Sequence, residues 1–157
     1  MSATDDLLRA ILARCERISG GVEELRPLLA PVLPTDHASI DMLETMTRIA
    51  SVALLKRVEQ LQDMLARLVR AVASWELIDV AEMTRRDLAN WMEQRRFVDD
   101  AAQWITLTEL RNRLVHEYPI DDAEQIRRVN QSWEAASALQ AIFRRIPAYL
   151  ANKGFSA

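Results

Sequence analysis

The sequence predicts an all-α protein, an up-down helical bundle of four main helices with one or two short additional ones. Three observations predict it. Half of the 157 residues are hydrophobic and only three are Gly, a composition suited to packed helices rather than loops or disorder. Apolar residues recur at spacings of three and four through the long segments, as one buried helix face requires. No apolar–polar alternation of useful length occurs, nor any Asn-Gly hairpin signal. The length suits one domain with a real core, and neither an internal repeat nor a linker of shifted composition interrupts it.

Each element has its own signal. Asp5 to Ser19 and Val22 to Leu29 read as two helical pieces around Gly20-Gly21, or as one kinked helix. From Asp41 to Ala73 nothing breaks the pattern. Leu54, Val58, Leu61, Leu65, Leu68 and Val72 form one apolar stripe, with Asp36 or Ser39 as its cap after the breaker-rich Pro31-Val32-Leu33-Pro34. Thr84-x-x-Asp87 approximates a capping box for a short helix through Phe97. Asp99 and Asp100 open a helix to about Glu117, where Pro119 biases Tyr118 toward an extended backbone. Asp121 and Asp122 start the last long helix, in which Ile126, Val129, Trp133, Ala136 and Phe143 keep the rhythm until Pro147 bends or ends it.

Composition excludes several functions. The apolar runs are too short to cross a bilayer, so no membrane partner is expected. The opening Met1-Ser2-Ala3-Thr4-Asp5-Asp6 is acidic where a secretory signal is basic and then apolar. The single Cys15 lacks an intrachain disulfide partner, and a cytoplasmic location is therefore expected. Beside Ile11, Leu12 and Ile18, it reads as a packed thiol rather than a nucleophile. There is no Gly-rich phosphate loop, no Cys or His cluster and no Glu-x-x-His spacing, so neither metal nor cofactor is expected. The four tryptophans read as core or interface. At a net charge of −3 the whole molecule does not attract nucleic acid. Any RNA contact must use a local cluster of arginines, which make up all the basic residues except Lys56 and Lys153. For most of them a GC-rich coding bias is the expected reading, without function.

The helix from Asp99 to Glu117 holds the unusual feature. On a wheel of about 100° per residue with Trp104 at zero, Leu110, Leu114, Leu107, Trp104, Val115, Ala101 and Ile105 fill an arc of roughly 220°. That exceeds one buried face, and a second apolar contact, most simply a partner subunit, is implied. Arg111 falls within the arc at roughly 340°. A guanidinium there is unfavourable unless it meets a carboxylate, a phosphate or a wet cleft. Asn112 and His116, four apart, flank the arc on one side. Taken singly, Arg111 is also readable as a salt-bridge partner, His116 as a helix-end histidine and Tyr118 as a common helix-end residue. His37 has no polar constellation and is given no role.

The octapeptide Arg111-Asn112-Arg113-Leu114-Val115-His116-Glu117-Tyr118 resembles the R-x4-H-x-Y motif of HEPN-domain proteins. It resembles more narrowly the HepT-like toxins that pair with a small MNT-type nucleotidyltransferase antitoxin. The Asn after Arg, the Leu-Val before His, the upstream Trp and the long final helix are in keeping with that family. The likeness covers residues 22–157 as the HEPN-like domain and leaves residues 1–21 as an N-terminal helical extension. It implies a homodimer whose two Arg–His pairs meet in one cleft, acting as a metal-independent endoribonuclease on an RNA substrate. Arg111 and His116 would be catalytic, Asn112 would position the phosphate or His116, and Tyr118 would be modified with AMP by the nucleotidyltransferase. Two alternatives stay open: a non-catalytic substrate-binding partner of a nucleotidyltransferase, and a helical protein whose motif is fortuitous with Arg111 in a structural ion pair.

Overall fold

Five α-helices and a short 3-10 turn make up the protein in the computed structural model, which describes residues 2–157. They are α1 (Ala3–Leu29), the turn (Ile40–Met42), α2 (Thr45–Trp75), α3 (Arg85–Gln94), α4 (Ala101–His116) and α5 (Asp122–Asn152). No strand occurs among the described residues. Helix α2 is the spine, packing against α1, α4 and α5. Trp75 reaches Asp5, and Gly21 lies against Arg57, so α1 and α2 run antiparallel. Arg9 reaches Ser156 and Arg26 reaches Gln140, so α1 and α5 run antiparallel as well, while Gln62 and Asp63 of α2 bond Thr108 and Arg111 of α4. Arg128 near the start of α5 reaches the end of α4, completing up-down-up-down, with α3 a crosspiece between α2 and α4.

The caps follow the sequence closely. Ser2 with Asp5 and Thr84 with Asp87 form reciprocal capping boxes, and Asp100 and Asp121 cap α4 and α5 with their side chains. The six apolar residues expected along α2 are all fully buried. Cys15 is buried on α1, and burial pushes its thiol up to about 12. Trp91 and Trp104 are buried, and Trp75 and Trp133 are partly so. No helix is long and apolar enough to cross a membrane.

Two helix boundaries differ from expectation, at the start of α2 and the end of α3, and two points that the sequence left open are decided. Gly20-Gly21 does not divide α1, because Ile18 and Val22 on either side are buried and hold the helix against its neighbours. The boundary expected after residue 21 therefore falls within a helix. Helix α2 begins at Thr45 rather than Asp41. Ser39 instead caps the 3-10 turn, and Glu44 precedes α2 without a side-chain cap. Helix α3 stops at Gln94 because Arg96 turns left-handed and Phe97 N–H reaches back to the Met92 carbonyl. Pro147 does not end α5, since Phe143, Ile146 and Leu150 around it are buried and carry the helix on to Asn152.

Helix α2 closes through Leu77 at φ 63°, with Ile78 N–H bonding the Ala73 carbonyl. A left-handed conformation costs a side-chain-bearing residue about 1 kcal/mol, whereas Gly adopts it freely. Leu77 is almost wholly exposed, and a Cβ at Gly20 would meet nothing within 4 Å. Leu77→Gly and Gly20→Ala are each expected to stabilise the protein by about 0.5–1 kcal/mol, read as a higher urea midpoint with an unchanged slope. A lower midpoint for either would contradict the backbone described here.

Candidate functional site

Helix α4 presents Arg111 to a cleft that it shares with α2 and α3. The cleft has a volume of about 290 Å³, and Gln62, Trp104, Thr108, Asn112, Arg70 and Arg85 are among its walls. Arg111 is 26% exposed and is held by Asp63 of α2, whose side chain is 44% exposed. Arg111 Nη2 donates to Asp63 Oδ2 at 3.1 Å, and Nε sits 2.7 Å from Oδ1 without the alignment of a hydrogen bond. Nη1 donates a longer bond of 3.3 Å to Asn112 Oδ1. The arginine thus meets both a carboxylate and a wet cleft, two of the three conditions its place in the apolar arc required. With one edge of the fork on Asp63 and one Nη1 proton on Asn112, the second Nη1 proton remains for an anion in the cleft.

The floor of the cleft is polar. Thr108 donates its hydroxyl proton to the Trp104 carbonyl at 3.0 Å, so its oxygen accepts from Gln62 Nε2 at 3.1 Å. That bond fixes the Gln62 amide and leaves Oε1 buried without a partner, an acceptor suited to a donor-bearing occupant.

His116 and Tyr118 do not line this cleft. His116 is the last residue of α4 and is exposed, and Tyr118, 91% exposed, lies on the extended segment beyond it. Arg111 and His116 are about 7.5 Å apart along the helix axis and roughly 140° apart around it. Arg111 and Asn112 therefore come together, and His116 stands on another side of the helix.

The broad arc on α4 is largely spent within the chain. Ala101, Trp104, Leu107 and Leu110 are buried, and Ile105 and Leu114 pack partly against the core. Only Val115 of the arc is exposed. More apolar surface stands free: Ile120 beyond α4, and Met46, Ile49 and Val52 along one side of α2.

Two residues of the site had no place in the sequence analysis. Asp63 lies 48 positions from Arg111, and only the α2–α4 register unites them. Arg128 is buried on α5, where its Nη1 donates to the Arg113 carbonyl at 3.3 Å and to the Glu117 carbonyl, and its Nε donates to Glu124 Oε1 at 3.2 Å. Those carbonyls belong to the open end of α4, so Arg128 fixes the turn that carries His116. Its own signal was present: a guanidinium between Ile126 and Val129, in the apolar rhythm of α5, is the same anomaly as Arg111.

The two guanidiniums have unequal weight in stability. The Arg111–Asp63 pair is open to solvent and contributes at most about 1 kcal/mol. Arg128→Met removes the hydrogen bonds of a buried guanidinium to the Arg113 and Glu117 carbonyls and to Glu124, and is expected to cost about 2 kcal/mol. Urea denaturation should therefore rank Arg128→Met well below Asp63→Asn, and hydrogen exchange at His116 and Glu117 should accelerate in the former alone. Equal stability of the two variants would show that the end of α4 holds itself.

No protein-family model matches the chain, and none of the curated proteins or solved structures compared with it does so either.

Proposed function

We propose that the chain is an endoribonuclease of the HEPN kind, HepT-like in its motif, which completes its site by pairing with a second copy of itself. One observation carries this reading: a guanidinium set by Asp63 in a cleft, with an exposed histidine five residues on that the same chain does not bring to the same place. Across a two-fold axis, His116 of one copy can face the cleft of the other. The free apolar surface of Met46, Ile49, Val52, Val115 and Ile120 supports that pairing.

The chemistry follows from the groups present. An RNA 2′-hydroxyl attacks the adjacent phosphorus as its proton passes to one His116. The P–O5′ bond breaks, and the leaving oxygen takes that proton back from the imidazolium. Arg111 Nη1 balances charge growing on the non-bridging oxygens, while Asp63 and Asn112 keep the fork in place. The products are a 2′,3′-cyclic phosphate and a 5′-hydroxyl. Tyr118, with its hydroxyl in solvent, is the acceptor for AMP from an MNT-type nucleotidyltransferase, which would block the dimer cleft.

A second reading has an observation of its own. The carboxylate of Asp63 already compensates Arg111, as suits a substrate-binding companion of a nucleotidyltransferase without nuclease activity. The two separate by assay. The nuclease cleaves single-stranded or transfer RNA in the presence of EDTA and leaves cyclic phosphate ends. His116→Ala abolishes cleavage, and Arg111→Ala lowers the rate by about a hundredfold or more. Intact RNA with the wild-type protein, alongside normal growth of cells expressing it alone, would favour the companion.

A further inference from the structure

A second groove opens between α1 and α2, with a volume of about 540 Å³, lined by Arg14, Arg17, Arg57, Arg67, Glu24 and Asp63 among others. None of the four arginines has a carboxylate within ion-pairing distance among the described residues. Asp63 is turned to Arg111, and Glu24 is the other acid of the lining. Arg57 lies over Gly21, where a Cβ would come within 2.8 Å of its Nε. The glycine therefore admits the arginine to the groove floor, and Arg57 Nη1 is steadied by Gln60 Oε1 at 3.2 Å.

Arg57 and Arg67 are ten residues apart on α2, about 15 Å along the helix. The antiparallel register sets Arg17 and Arg14 opposite the stretch between them. A row of that length exceeds what one phosphate needs and matches a chain of them. Asp63 belongs to the walls of both the groove and the Arg111 cleft, so the two adjoin.

We infer that this groove is a track for the phosphodiester backbone of single-stranded RNA, leading to the Arg111 cleft, with α1 supplying half of it. The inference rests on the reading of that cleft as a site for RNA. It gives the first 21 residues a task, since Arg14, Arg17 and Gly21 all fall among them.

The test separates binding from cleavage with a fluorescein-labelled, uncleavable 2′-O-methyl oligonucleotide, followed by anisotropy across a salt series. Arg14→Gln/Arg17→Gln and Arg57→Gln/Arg67→Gln should each weaken binding about tenfold or more. Each should also reduce the slope of log affinity against log salt by about 1.4, the loss of two single-strand phosphate contacts. Arg48→Gln/Arg144→Gln removes the same charge outside the groove and should stay within about twofold of wild type. Thermal unfolding checks that each variant is folded, and two independent pairs guard against the loss of one. The track is overturned if all three pairs weaken binding equally, if the groove variants bind like wild type, or if a poly-glutamate peptide binds more tightly than the oligonucleotide. Oligonucleotide binding that depends on the groove, without cleavage of natural RNA, would retain the track and reject the nuclease. Cleavage with groove variants as fast as wild type at limiting RNA would do the reverse.

Discussion

The contact between Arg111 and Asp63 is the constraint on which the site depends. It ties α4 to α2 at one register, and that register decides what else lines the cleft, Gln62, Thr108, Arg70 and Arg85 among them. Its energetic weight is small, because both partners are partly solvated. Its effect is geometric. A free arginine samples many rotamers, whereas one held along an edge presents the same protons each time, and less entropy is lost when an anion arrives. A cation in a cleft that is already orientated differs in this way from a cation on a surface.

Much of the architecture was legible because local chemistry and global packing agree. Thr84, Asp100 and Asp121 cap the helices that their positions announced, and the α2 stripe is buried throughout. The points that the sequence left open concern glycine and proline, where tertiary contact outweighs propensity. Two adjacent glycines weaken a helix by about 1 kcal/mol each, less than the burial of Ile18 and Val22 beside them returns. Conversely, α2 and α3 end through Leu77 and Arg96, side-chain-bearing residues in a left-handed conformation. A sequence with three glycines offered no glycine at those two ends, and the ends were invisible to a search for one.

The candidate site was half legible. An arginine inside an apolar arc needs an explanation, and that need was readable from spacing alone. The identity of its partner was not, because helical periodicity says which residues share a face and nothing about which faces meet. The breadth of the arc pointed to more free surface on α4 than exists, since α2, α3 and α5 together cover most of it. Exposed apolar residues stand instead on other elements, Met46, Ile49 and Val52 on α2 and Ile120 beyond α4 among them.

Net charge conceals the local electrostatics of this chain because several of its acids sit at helix N-termini, away from the α1–α2 groove. Asp5, Asp87, Asp100 and Asp121 are engaged at helix N-termini, where backbone amides hold them. For Asp5 and Asp87 those bonds, to the Ser2 and Thr84 amides first, pull the carboxyl below its usual range. Arginines instead occupy helix faces, and in the α1–α2 groove they face one another with few acids between them. A carboxylate at a cap is a poor screen for a guanidinium several turns away, since the distance exceeds a Debye length of about 8 Å at physiological salt. A molecule of net charge −3 can therefore carry a basic groove next to a cleft with an orientated arginine, and the local field, rather than the total, decides what anion it draws in.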